Sequence, residues 1–377
     1  MNIVFFSHSS DKYGAELFLL ETLTCLKESR ENLELTVITP TEGPLISELE
    51  KIKVRYRVYP YKWWVGQKKF TYKKIRNVLN ILAAWMIAKK IKKLKPNIIC
   101  TNTITTNVGA FVAYFLEIPH IWFVHEFVGK GQDLKFDLGD KWSYGFMNKR
   151  TDKVITNSKT CYDFYAENID KEKINWLYNK NMRVSKNQLN KARNDSFKCI
   201  IVGSINKNKN QELAIDAIKE LKKSIKKISL LLVGDGDKKY VEFLKEKVKR
   251  ENLSEIIHFK GYTDDPYPLI MASDVMLICS KQETFGRALI EGMIGKKPVI
   301  APDIAAVSEL ISDKEDGIIY NKNNVEDLIK KVVEVYKNPK TGLEIGKRAR
   351  KKALEFHQPE KYSQELIKMF KEVGKKV

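Results

Sequence analysis

Cysteine is scarce in this chain: Cys25, Cys100, Cys161, Cys199 and Cys279 are five in 377 residues, odd in number, widely spaced and without a CxxC pair. Such a pattern supports neither a disulfide framework nor a zinc site, and it points to a reducing, cytoplasmic setting. Long apolar runs are also missing. The longest nearly apolar stretch, 78–88, falls far short of the roughly 20 residues needed to span a bilayer. The opening MNIVFFSHSS reads directly as a strand and lacks the basic region, apolar core and cleavage site of a signal peptide, so a protein that is neither secreted nor membrane-spanning is expected. Acidic residues are absent from 51 to 116, where fifteen lysines and arginines stand. No internal repeat and no low-complexity tract appears.

What is present suits a two-domain α/β protein. A chain of 377 residues exceeds the usual size of one core, and a hydrophobic fraction of 43% fills two. Strand-like runs at 2–7, 35–39, 97–101, 120–125 and 153–158 alternate with helical stretches. A second series follows at 197–204, 228–236, 256–261, 274–279 and 297–302. Alternation of this kind implies doubly wound parallel sheets with ligands at the carboxyl ends of the strands. The polar stretch 179–196, almost without apolar anchors, reads as the linker between domains 1–180 and 181–357. In the tail 358–377, Tyr362, Leu366, Ile367, Phe370 and Val373 recur at helical spacing.

The densest chemistry lies in 280–309, SKQETFGRALIEGMIGKKPVIAPDIAAVSE. Glu283 and Glu291 stand eight positions apart across an expected strand-to-helix turn, with the helix read over 284–294. Eight residues are about 800° of helical rotation, so Glu291 is expected on nearly the same side as Glu283, about 10 Å further along. One carboxylate can hold sugar hydroxyls and the other a ribose. The orphan N–H groups of Phe285, Gly286 and Arg287 between them suit a diphosphate.

This segment resembles the E-x7-E region of the retaining nucleotide-sugar glycosyltransferases of family 4. The likeness rests on Cys279-Ser280, Glu283-Thr284-Phe285-Gly286, Glu291-Gly292, the turn 295–299 and Ser308-Glu309-Leu310. One departure is Gly292, where the family usually has alanine. The resemblance implies the GT-B architecture, two Rossmann-like doubly wound parallel-sheet domains facing across a cleft, with the terminal helix 358–377 crossing back to the first domain. It also implies that the loop 205–211, after Gly203 and Ser204, is the phosphate loop, with Lys209 contacting the donor diphosphate. Many members carry arginine where Ser204 stands, which leaves Arg287 as a second cation. The strand end beginning at His258 resembles the place where the family reads the nucleotide base. In the first half, the loop 8–16 resembles the family's glycine-containing loop, with Gly14 alone where many members have two glycines. His125 resembles a histidine that the family places beside the reaction centre.

Asp235 and Asp237 form a D-x-D triplet, but no second acidic cluster with a nearby histidine accompanies it, so a turn held by Asp side chains is the better reading and no metal is expected. The acid-free basic segment is interleaved with Tyr61, Trp63, Trp64, Tyr72 and Trp85. Such a surface favours anionic lipid; nucleic acid and a plain solvated face are the rival readings. The glutamate constellation separates the classes, because a nucleic-acid binder has no need of it. The expected protein is therefore a retaining, metal-independent hexosyltransferase without cofactor. Its donor is a nucleoside-diphosphate sugar and its acceptor a saccharide or lipid-linked glycan, in cell-surface or exopolysaccharide biosynthesis. The expected location is the cytoplasm, peripheral at the inner face of the cell membrane. Alternatives are a phosphorylase or sugar-phosphate synthase of similar fold, or a non-catalytic membrane-surface partner in glycan assembly.

Overall fold

The structure is a computed structural model and describes residues 1–66, 73–178 and 196–375. The expected linker 179–196 therefore lies, apart from Ser196, outside the described residues, as do Lys68, Lys69 and Tyr72. The chain divides into two compact units, one of 1–183 with 358–377 and the other of 184–357.

In the first unit the strands are β1 (Asn2–Ser7), β2 (Glu34–Thr39), β3 (Arg55–Val58), β4 (Val65–Gly66), β5 (Ile98–Asn102), β6 (His120–Val124), β7 (Lys135–Phe136), β8 (Lys153–Thr156) and β9 (Ile174–Trp176). Its helices are α1 (Gly14–Glu28), α2 (Pro44–Lys51), α3 (Lys73–Ile91), α4 (Val108–Leu116), α5 (Asp140–Arg150) and α6 (Lys159–Tyr165). Seven strands form one parallel sheet in the order β3-β2-β1-β5-β6-β8-β9, and β4 pairs with β7. Side chains alternate across β1 as the strand period requires. Ile3 and Phe5 pack with Phe18, Leu19 and Tyr362 on one face, while Val4 and Phe6 pack with Ala84, Ile87 and Val112 on the other. Burial on both faces explains why β1 reads as a continuous apolar run.

The second unit repeats the plan with β10 (Phe197–Val202), β11 (Ile228–Val233), β12 (Ile257–Gly261), β13 (Val275–Leu277), β14 (Val299–Pro302) and β15 (Ile318–Tyr320). Between and after them come α7 (Gln211–Leu221), α8 (Lys238–Arg250), α9 (Tyr267–Ala272), α10 (Arg287–Ile294), α11 (Ala305–Ser308), α12 (Val325–Lys337) and α13 (Pro339–Phe356). The six strands are parallel in the order β12-β11-β10-β13-β14-β15. In each sheet the order reverses beside the first strand, between β1 and β5 and between β10 and β13. Doubly wound sheets bind ligands outside the carboxyl ends of strands at such a reversal.

The last helix, α14 (Pro359–Gly374), belongs to the first unit. Tyr362, Leu366 and Phe370 are fully buried in its core, and the Tyr362 hydroxyl lies 2.9 Å from Thr22 Oγ1 on α1.

Two expectations need correction here. Strands β3, β9 and β15 were not expected, being only four or three residues long. The aromatics of the basic segment do not form one surface: Trp64 is fully buried against Trp122, and Tyr61 is buried, its hydroxyl donating to the carbonyls of Ser7 and Ile38. Trp63 and Trp85 are exposed.

Candidate functional site

At the order reversal of the second sheet, two loops meet. One follows β10 and carries Gly203, Ser204 and Lys209; the other follows β13 and carries Ser280 and Glu283. Asn208 ties them together. Its carbonyl oxygen accepts the Lys281 N–H at 2.8 Å, its side-chain oxygen accepts the Gln282 N–H at 3.2 Å, and its amide donates to the Gln282 carbonyl at 3.0 Å. This register sets Lys209 Nζ against Glu283 Oε1 in a close ion pair, and Ser280 Oγ donates to the same oxygen at 2.6 Å. The two side chains are only 24% and 12% exposed, so the pair is less screened than a surface salt bridge.

The approach of the backbone there depends on glycine. A Cβ on Gly234 would stand 2.1 Å from the Gly203 carbonyl oxygen, and one on Gly236 would stand 1.8 Å from that of Ile205. The turn after β11 is thereby pressed against the loop that follows β10. Asp237 caps α8, its side chain accepting the Tyr240 N–H at 2.9 Å. Among the described residues no group of three or more His, Cys, Asp or Glu is placed to hold a metal ion.

The helix read over 284–294 is shorter than expected. It runs Arg287–Ile294, and Gly286 precedes it in the left-handed region at φ 79°. Glu283 therefore sits in the loop, three residues before the cap, and the continuous-helix rotation that related it to Glu291 does not apply. Residues 284–286 do not form the first turn; the outward N–H groups there belong to α10 from Arg287 onward. Phe285 is buried near Phe356. Glu291 meets Arg287 one turn back, Nε to Oε1 at 3.4 Å, so each glutamate faces a cation. Gly292 has a steric reason: an added Cβ would come within 2.7 Å of Met276 Sδ and 2.8 Å of Val299 Cγ2. Ser204 is exposed at the loop's start. His258 stands apart, exposed in mid-strand on the edge strand β12, three residues before its end.

The first sheet gathers a second group at its own reversal. His125, just past β6, places Nε2 3.0 Å from Asn102 Oδ1, and Asn102 donates its amide to the Ala15 carbonyl at 2.9 Å. That amide orientation makes Nε2 the protonated nitrogen. Burial lowers the His125 pKa to about 3, helped by nearby His8, so the ring is neutral at ordinary pH. His8 is likewise lowered by burial, against the pull of Glu16, whose Oε1 lies 3.2 Å from its Nδ1. Glu16 also accepts from Ser9 Oγ at 2.6 Å and from the Tyr13 N–H at 3.2 Å. Gly14 opens α1 with nothing within 4 Å of an added Cβ, so the fold itself does not demand glycine there.

Sequence reasoning gave no role to Asn208, Asn102 or Glu126. Oε2 of Glu126 is buried without a hydrogen-bond partner among the described residues. Burial raises its pKa to about 7, opposed by the Ile104 N–H and reinforced by Glu16. The available signal was the His-Glu dipeptide at a strand end. For Asn208 there was none, because its role is a pairing of two loops 74 positions apart.

Two parallel α/β units with ligand-competent strand ends define a GT-B glycosyltransferase fold, and comparison with known proteins agrees. The family model for Glycosyltransferase Family 4 matches residues 13–179, and that for Glycosyl transferases group 1 matches 183–352. The chain belongs to glycosyltransferase family 4. An uncharacterized glycosyltransferase of Methanocaldococcus jannaschii is 29% identical over 66% of this chain and 67% of its own length. The Staphylococcus aureus poly(ribitol-phosphate) α-N-acetylglucosaminyltransferase is 26% identical over 45% of this chain and 35% of its own. In fold, the crystal structure of Anabaena HepE in complex with UDP-glucose superposes with a TM-score of 0.80 at 19% identity, over 99% of this chain and 100% of that one.

Proposed function

We propose that this protein is a retaining glycosyltransferase that moves a hexosyl-type sugar from a nucleoside-diphosphate sugar to a membrane-attached or growing glycan acceptor. The observation that carries the reading is the Lys209–Glu283–Ser280 cluster at the ends of β10 and β13. A cation and a carboxylate are held there by a common backbone register, beside the start of α10. In the proposed reaction the bond between the anomeric carbon and the diphosphate oxygen breaks. The acceptor hydroxyl forms its bond on the same face, and its proton passes to the departing diphosphate oxygen. Glu283 grips sugar hydroxyls and Glu291 the ribose. Lys209, Arg287 and the N-terminal end of α10 stabilise the charge developing on the leaving group. His125, neutral and oriented by Asn102, stands on the acceptor side as a hydrogen-bonding group. Family membership supports sugar transfer, the UDP-glucose bound by the Anabaena protein supports the donor class, and the name of the S. aureus relative supports a cell-surface polymer as acceptor.

A panel of nucleotide sugars, screened by thermal shift and slow donor hydrolysis, tests the reading. At least one donor should raise the melting temperature and be hydrolysed, with activity that survives exhaustive EDTA treatment and a transferred sugar that keeps its anomeric configuration by NMR. If no donor binds, the site is misread; if the product is inverted, the same-face step is wrong. Activity lost to EDTA and restored by Mn²⁺ would direct attention to Asp235 and Asp237.

A further inference from the structure

Helix α3 is built inside out. Its buried side carries Asn77, Asn80, Ala83, Ala84, Ile87 and Ala88. Its outer side carries Ile75, Val78, Leu79, Leu82, Trp85 and Met86, each between 47% and 56% exposed. The polar residues inside are there for a reason: Asn80 donates to the Lys62 carbonyl at 2.9 Å and to Asn107 Oδ1 at 3.0 Å, and Asn107 donates to Asn77 Oδ1 at 3.0 Å. This network, the small alanines and the buried Ile87 and Ile91 seat α3, leaving the six outer apolar side chains out of the core. At 100° per residue the six outer positions fall within an arc of about 120°, a single stripe. A stripe of this kind, uncovered among the described residues, marks an interaction site.

Charge indicates what covers it. Lys74 and Lys90 flank the stripe, and Lys89 lies within it, its Nζ 3.4 Å from the centroid of the Trp85 ring. Lys92 and Lys93 follow in the next turn, and no acidic residue occurs anywhere from 51 to 116. A second copy of this chain would set lysines against lysines. Nucleic acid would engage the lysines and leave the leucines in water. Only a surface with negative charge outside and hydrocarbon beneath satisfies both. We infer that α3 lies flat on an anionic bilayer, with its outer stripe sunk below the headgroups and its lysines among them. This inference is independent of the donor-site reading, since α3 belongs to the first unit and Lys209 and Glu283 to the second.

Co-sedimentation of the full chain with vesicles tests it, using phosphatidylcholine alone and an equimolar mixture with phosphatidylglycerol, each across a salt series. Wild type should bind the anionic vesicles, weaken with salt, and bind phosphatidylcholine poorly. Each lysine at an anionic surface contributes a factor of about 5. Lys74→Glu, Lys89→Glu and Lys93→Glu combined should therefore cost about 100-fold or more. Leu79→Ser, Leu82→Ser and Met86→Ser combined should also cost at least about 10-fold. Both variants change exposed positions, so melting temperature and hydrolysis of a soluble donor should match wild type. Equal binding to both lipids, or to neither, overturns the inference. So does a serine variant that binds like wild type, which would mean a plain polyanion site. A wild-type dimer in sedimentation velocity that the serine variant splits would overturn it in favour of a second copy.

Discussion

Replacing Glu283 by Gln keeps the shape of the side chain and removes the charge that faces Lys209. Two opposite charges about 4 Å apart attract by roughly 4 kcal/mol at an effective dielectric of 20, before desolvation is subtracted. Both partners are less than one-quarter exposed, yet neither is sealed from water, and the amide can still accept a hydrogen bond from Ser280 or Lys209. The expected loss of folding stability is therefore about 1–2 kcal/mol. The kinetic loss should be larger. A carboxylate that contacts the sugar in the transition state should be worth about 100-fold in kcat, or roughly 2.7 kcal/mol. Lys209→Met should lose a similar factor. Because the two groups act on one charge distribution, the double variant should lose much less than the product of the single effects. Urea unfolding and steady-state transfer with each accepted donor measure both quantities. Near-normal transfer by both single variants would refute the site. Stability losses that add within about 0.5 kcal/mol would show that the ion pair is not formed in solution.

Glu291→Gln should raise the donor KM several-fold with kcat largely retained, since the proposed ribose contact is equal in ground and transition states; a fall in kcat alone, measured over a donor titration, would reverse the two glutamates' roles. Glu126 should make stability depend on pH. Its folded pKa, about 7, lies above the unfolded 4.5, so the folded state is favoured below about pH 4.5 and loses up to about 3 kcal/mol as pH rises to about 7. His8, His120 and His125, all lowered by burial, act in the opposite sense, losing stability as pH falls below 6.5. The difference between wild type and Glu126→Gln isolates the carboxyl: the gap should change between pH 4.5 and 7 and be flat above pH 8, and a gap constant throughout would mean that Glu126 titrates normally.

Where long apolar runs are buried on both faces, as in β1, β2 and β10, the strands were legible from composition alone. β3, with sequence RYRV, alternates exposed and half-buried positions at a sheet edge, and β9 and β15 are too short to show a period. The start of α10 was misplaced because Thr284 and Phe285 have no helix-breaking character; the decisive residue is Gly286, whose positive φ only the folded chain displays. Lys209 and Glu283 were each legible, through strand position and spacing respectively, but their pairing was not. It depends on Asn208 bridging segments far apart in sequence. Helix α3 shows the limit of periodicity most plainly. Its pattern locates an apolar stripe, but the face that enters the protein is chosen by Asn77 and Asn80 finding partners on Asn107 and Lys62.

The placement of α14 bears on how the protein is made. Tyr362, Leu366, Ile367, Phe370 and Val373 complete a core whose other members, from Ile3 to Leu177, leave the ribosome first. The second unit, continuous from 184 to 357, has all its residues in hand before α14 is synthesised. The earlier-made unit must therefore wait, its α1 side open where Phe18 and Thr22 will later receive Tyr362, while the later-made one folds. Contacts closed across some 340 positions are slow to form, and the apolar surface uncovered in the interval is where a nascent chain of this design is most exposed to aggregation and most dependent on chaperones.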